Sequence, residues 1–163
     1  MLESGKLREK KILFVCTGNT CRSPFAAAYM RKLCSEKGIN NLEILSAGIS
    51  TIDGLPASQN AIMAAEEFGV DLSSHNSKAL TETLLNTAEL IICMAESHRN
   101  AVLRFSQISP EKVKLLLEFS NKHRKGDIAD PFGGNIEIYR NCFLQIASAV
   151  DNLLTYILKK KDN

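Results

Sequence analysis

Five residues separate Cys16 from Arg22 in the segment Cys16-Thr17-Gly18-Asn19-Thr20-Cys21-Arg22. A cysteine attacks as its thiolate, and an arginine guanidinium is a planar fork that binds two phosphoryl oxygens at once. A spacer of this length can curl into a ring with its backbone N–H groups turned inward. Gly18 supplies conformational freedom for that curl. Such a ring is an anion cradle. A helix starting just after it would add free N–H groups and the positive end of a dipole. The same field favours a thiolate, so Cys16 is expected to sit below the ordinary thiol pKa. In a phosphoryl-transfer transition state the equatorial oxygens carry the charge, and the same donors would stabilise them. The bland alternative is a small apolar Cys16 packed at a strand end.

The surrounding pattern decides how much weight the spacing bears. Lys11-Ile-Leu-Phe-Val15 is short, apolar and rich in β-formers, and reads as a buried strand ending at Cys16. Ser23-Pro24 then precedes Phe25-Ala-Ala-Ala-Tyr-Met-Arg-Lys-Leu-Cys34, with Ser23 suited to cap a helix, Pro24 to its first position and Gly38 to its stop. The order strand, polar loop, helix repeats downstream. Leu42–Leu45, Glu89–Met94 and Val113–Leu117 are the further strands expected. Ala57–Phe68, Thr81–Asn86 and Glu96–Phe105 are the further helices. A long polar loop spans 118–135. From Ile136, the residues Tyr139, Phe143, Ile146, Val150, Leu154 and Ile157 recur at helical spacing and give a last helix with one apolar face. Strands alternating with helices imply an α/β fold, a parallel sheet covered on both faces. Ligands of such sheets bind at the C-terminal strand ends, where the Cys16–Arg22 loop lies. The 163 residues read as one domain, with residues 1–10 a frayed extension.

Composition excludes several classes. A net charge of +2 gives no basic field for nucleic acid, and aromatics at 6% without Trp leave little for base stacking. The five cysteines are odd in number, widely spaced and free of any CxxC pair, which argues against a disulfide framework or a structural zinc. No signal peptide or bilayer-length apolar run is visible. The expected location is the cytoplasm, with no membrane partner.

Val15-Cys16-Thr17-Gly18-Asn19-Thr20-Cys21-Arg22-Ser23-Pro24 resembles the phosphate-binding signature of the low-molecular-weight protein tyrosine phosphatases. Asp130-Pro131-Phe132-Gly133-Gly134 resembles that family's Asp-Pro loop. The resemblance runs from Lys11 to about Leu158. It implies a three-layer sandwich with a four-stranded parallel sheet flanked by helices. It also implies a two-step hydrolysis without metal or cofactor. Cys16 would attack phosphorus and form a phosphocysteine. Asp130 would protonate the leaving group and then activate water. Pro131 would bias Asp130 to an extended backbone; Asp127 is the competing carboxylate. Thr17, Gly18, Asn19, Thr20, Cys21, Ser23 and Phe132 would line the substrate site. Ser23 resembles the hydroxyl that bonds the thiolate. Asn19 resembles the residue that braces the loop in a left-handed conformation, and Ser46 and His75 resemble its partners. An ordinary loop histidine is the alternative for His75. His98 and His123 are expected at the surface. Cys21 resembles the neighbour that forms a reversible disulfide with the nucleophile, or it is a packed thiol. The implied partner is a phosphorylated protein, with phosphate as product and inhibitor.

Members that act on phosphotyrosine often carry an aliphatic residue where this chain has Thr20, and more aromatic residues around the pocket. Thr20 with Asp-Pro-Phe-Gly-Gly is similar to the bacterial branch that contains protein arginine phosphatases, so phosphotyrosine and phosphoarginine both stand as substrates. A thiol-based arsenate reductase would need two relay cysteines, and the segment 81–96 holds only Cys93. A dinucleotide-binding module would need Gly-x-Gly-x-x-Gly, which is absent. A non-catalytic phosphoprotein-binding domain would be expected to lack the nucleophile or the acid.

Overall fold

The computed structural model describes residues 9–105, 107–121 and 126–160. Residues 1–8 of the expected frayed extension lie outside them, as does His123. The elements run β1 (Lys10–Cys16), α1 (Arg22–Glu36), β2 (Leu42–Gly48), α2 (Gln59–Glu66), α3 (Glu82–Thr87), β3 (Leu90–Cys93), α4 (Glu96–Leu103), β4 (Val113–Leu115) and α5 (Ile136–Lys159).

The four strands pair in parallel in the order β2-β1-β3-β4. Central β1 is buried on both faces, which is why its sequence is a run of apolar residues rather than an alternation. Its side chains still alternate. Ile12, Phe14 and Cys16 join the core under α1, α2 and α5, while Leu13 and Val15 join the smaller core with Leu85 of α3 and Val102 of α4. The apolar stripe of α5 packs on the first face. Phe143 stacks on Phe25 of α1 with ring centroids 4.0 Å apart, and both rings are fully buried. Burying a ring of this size contributes roughly 2–3 kcal/mol.

Several boundaries differ from expectation, Lys10 among them, which starts β1 opposite Leu42 instead of ending a frayed extension; three more have clear local reasons. Helix α1 begins at Arg22, so Ser23 lies inside its first turn and caps nothing; Cys21 occupies the cap position without a side-chain capping bond. Helix α2 begins at Gln59, because Ser58 takes the cap and accepts from the Ala61 N–H at 3.3 Å. Strand β4 stops at Leu115, where Glu118 Oε2 accepts its N–H at 2.6 Å and the chain turns into a short 3-10 helix at Leu116–Phe119.

Strand β2 runs on to Gly48, opposite Cys16 in register. A Cβ on Gly48 would stand 2.6 Å from the Thr17 carbonyl oxygen. Only glycine lets this strand end come so close to the loop after β1.

Candidate active site

The loop from Cys16 to Arg22 closes over the N-terminus of α1, at the C-terminal edge of the sheet. Residues 16–22 line a cavity together with Asp130 and Phe132. Cys16 is 3% exposed. Its Sγ lies 2.8 Å from Ser23 Oγ and accepts from the Asn19 N–H at 3.3 Å. Ser23 thus serves the sulfur instead of the helix end.

Burial pushes the Cys16 thiol up from its ordinary value, and that is the largest influence on it. The Ser23 hydroxyl and N–H, the Arg22 guanidinium and the Asn19 N–H act in the opposite direction. The lowered value expected from sequence counted only these donors. Burial outweighs these donors and leaves the thiol raised. The α1 dipole, worth about half a positive charge at the helix N-terminus, adds to the donors.

Asn19 holds the ring's shape. Its φ of 55° is left-handed, and among the described residues it is the one non-glycine with positive φ. Such strain persists only where neighbours over-determine it. Here Asn19 Nδ2 donates to Ser23 Oγ at 2.8 Å and to Ser46 Oγ at 3.0 Å, and Asn19 Oδ1 accepts from the Lys78 N–H at 2.9 Å. His75 Nε2 lies 2.7 Å from the Asn19 carbonyl oxygen. Burial pushes His75 down, so the neutral ring donates from Nε2. Ser46 and His75 therefore both reach the loop through Asn19.

Arg22 is 5% exposed, and one of its nitrogens donates to the Ile128 carbonyl at 2.8 Å. The other lies 3.4 Å from Asp130 Oδ2. Asp127 is spent elsewhere: its carboxylate accepts from the Glu96 N–H at 2.8 Å, at the start of α4. Of the two competing carboxylates, only Asp130 faces the cavity. Phe132 is 75% exposed at the rim.

His98 corrects the surface assignment. It is 1% exposed, and its Nε2 lies 2.8 Å from Thr17 Oγ1. Burial first, then Arg22, pushes its pKa down to about 4. A signal was present in the sequence, since His98 and Val102 are one helical turn apart on the buried face of α4. The surroundings of Cys21 carried no such signal. Its Sγ lies 3.2 Å from Ser58 Oγ and 3.4 Å from Tyr139 OH, and those hydroxyls are 3.1 Å apart. Burial, followed by the Cys21 contact, pushes Tyr139 up to about 12. The five cysteines are all buried and none is in a disulfide. No helix among the described residues is long and apolar enough to cross a membrane.

Comparison with known proteins agrees with this geometry. Residues 11–163 match the family described as low molecular weight phosphotyrosine protein phosphatase. A protein-arginine-phosphatase of Geobacillus stearothermophilus is 37% identical over 143 residues, covering 88% of this chain and 93% of that protein. The low molecular weight protein-tyrosine-phosphatase PtpB of Staphylococcus haemolyticus is 33% identical over 145 residues, covering 89% and 98%. A solved YwlE arginine phosphatase mutant with a phosphorylated active-site serine superimposes with a TM-score of 0.84 at 33% identity, covering 91% of this chain and 96% of that one.

Proposed function

Since this chain belongs to the low molecular weight phosphotyrosine protein phosphatase family, we propose that it hydrolyses phosphorylated protein side chains through Cys16, with phosphoarginine its preferred substrate. The observation that carries the chemistry is the convergence of Cys16, Arg22 and Asp130 on one cavity.

Cys16 reacts as the thiolate, held by the Ser23 hydroxyl, the Asn19 N–H and the α1 dipole. Its sulfur attacks phosphorus, and the P–S bond forms as the bond to the leaving group breaks. Arg22 binds two of the phosphoryl oxygens through its fork. The N–H groups of Thr17 to Cys21 take the remaining charge as it spreads in the transition state. Asp130, protonated, passes its proton to the leaving atom. The resulting carboxylate then takes a proton from water, which attacks phosphorus and expels the Cys16 thiolate. Inorganic phosphate leaves last and competes with substrate for the same donors.

Preference for phosphoarginine is supported by Thr20 in the loop, by Phe132 being the one aromatic side chain lining the cavity among the described residues, and by relatives named protein-arginine phosphatases at 36–37% identity. A cationic guanidinium donates a charge-assisted N–H bond to an Asp130 oxygen that a phenol ring does not. Five cysteines without a disulfide support a reducing, cytoplasmic setting.

Phosphate release from a phosphoarginine peptide and a phosphotyrosine peptide, measured side by side, is the test. Wild type is expected to turn over both, with the higher kcat/KM on phosphoarginine, and Cys16→Ser to turn over neither. A ratio favouring phosphotyrosine removes the substrate preference. Full activity in Cys16→Ser removes the mechanism.

A further inference from the structure

Up to Asp130 the loop that carries it is anchored: the Ile128 N–H donates to the Met94 carbonyl at 2.8 Å, Arg22 donates to the Ile128 carbonyl, and Arg22 also pairs with Asp130 at 3.4 Å; beyond Asp130 the anchors are fewer. The Asp130 side chain is 51% exposed. Within the loop, the Phe132 N–H donates to Asp130 Oδ1 at 3.1 Å and the Gly134 N–H to the Pro131 carbonyl at 2.8 Å. These bonds shape the turn without locating it relative to the cradle. Among the described residues, the hydrogen bond that reaches Pro131 to Gly134 from another element comes from α2. Asn60 Nδ2 donates to the Gly134 carbonyl oxygen at 3.1 Å.

Two positions before Asn60, the same turn grips the other loop. The Ser58 N–H donates to the Thr20 carbonyl at 3.0 Å, and Ser58 Oγ lies 3.2 Å from Cys21 Sγ. Ser58 also caps α2, so its own position is fixed by the helix it starts. One short, rigid turn therefore holds Thr20 and Cys21 on one side and Gly134 on the other.

We propose that the first turn of α2 holds the far side of the acid loop against the phosphate cradle, complementing the Arg22 contacts on the near side, with Asn60 the positioning residue for Asp130. The proposal rests on the phosphatase reading above. Asn60 acts through the Gly134 carbonyl and not on the substrate. Its consequence is specific to proton delivery. An acid must lie within hydrogen-bond reach of the leaving atom, and a shift of about 1 Å can cost on the order of a hundredfold in rate. A good leaving group departs with little help from that proton, whereas a poor one depends on it. Binding of phosphate and the reactivity of Cys16 do not involve it.

The experiment compares kcat/KM for phenyl phosphate, a poor leaving group, and dinitrophenyl phosphate, a good one, in wild type, Asn60→Ala and Asn60→Asp. The aspartate keeps the side chain's size and replaces the donor by an acceptor facing a carbonyl. Both variants are expected to lose about tenfold or more on phenyl phosphate and less than about twofold on dinitrophenyl phosphate. Alkylation of Cys16 and inhibition by inorganic phosphate are expected to match wild type. In an Asp130→Asn background, Asn60→Ala is expected to cost nothing further. Equal losses on both substrates, no loss on either, or an additive loss in the Asp130→Asn background would overturn the proposal. A wild type inert toward both aryl phosphates would sink the phosphatase reading beneath it.

Discussion

Replacing Ser23 by alanine should raise the pKa of Cys16 by a predictable amount. The direction follows from who donates to whom. Asn19 Oδ1 is occupied by the Lys78 N–H, so the amide nitrogen is the end that faces Ser23. Ser23 Oγ accepts from that nitrogen at 2.8 Å, which leaves its own proton for Cys16 Sγ at 2.8 Å. The hydroxyl therefore stabilises the thiolate and not the thiol. A hydrogen bond to a charged group contributes about 1.5–3 kcal/mol. About 1.4 kcal/mol is a factor of ten in an equilibrium constant, so losing this bond should raise the Cys16 pKa and cut the thiolate fraction below the midpoint by about 10–100-fold. The assay is the pH dependence of iodoacetamide alkylation, read on the Cys16 peptide by mass spectrometry. Below the wild-type midpoint, the variant should alkylate about 10–100 times more slowly, the same shift expressed as a rate. Ser46→Ala is the control. It removes the other acceptor of Asn19 Nδ2 without touching the sulfur, and should slow alkylation by less than about threefold. A folded Ser23→Ala protein with an unchanged or lower midpoint would refute the assignment of Ser23 as donor.

His98 makes stability pH-dependent in one direction. Buried and neutral, it titrates at about 4 in the fold, against about 6.5 in an unfolded chain. Between those values the unfolded chain binds a proton that the fold refuses, so stability falls as pH drops from 6.5 towards 4. The loss should reach roughly 2–3 kcal/mol. Denaturant unfolding of His98→Gln at pH 7 and pH 4.5 should show a correspondingly smaller acid loss; parallel losses in wild type and variant would contradict the burial argument. Gly48→Ala tests the close approach of β2 to the cradle. Its Cβ would meet the Thr17 carbonyl oxygen at 2.6 Å, and overpacking of this kind costs about 1–3 kcal/mol. Thermal unfolding should show a Tm lower by several degrees and a smaller rise on adding inorganic phosphate, and a Tm equal to wild type would mean that the loop can yield.

The order of the elements and the place of the Cys16–Arg22 loop at the sheet's C-terminal edge were legible because each depends on a few neighbouring residues. A buried strand writes itself as Ile12-Leu-Phe-Val15, and the five-residue spacing of Cys16 and Arg22 is a property of one loop. The stripe along α5 is likewise a local period, and the register of buried faces followed from it. Even His98 was readable in principle, since its partner in the pattern is one turn away.

What tertiary structure alone decided are contacts between residues far apart in the chain. Asp127 and Asp130 share one loop, and which of them faces Arg22 depends on where α4 begins, because the Glu96 N–H claims the first. Ser23 has the sequence of a cap but the place of a sulfur ligand, a choice made when α1 docks its first turn under Cys16. Thr17 and His98, Asn60 and Gly134, and Cys21 and Tyr139 meet across 74 to 118 residues. The burial that pushes the Cys16 thiol up is of the same kind, since it comes from every element packed around the loop. Spacing along a chain sets which groups can share a helix face or a ring. The dielectric around a group, and its partner from another layer, exist only once the layers have packed.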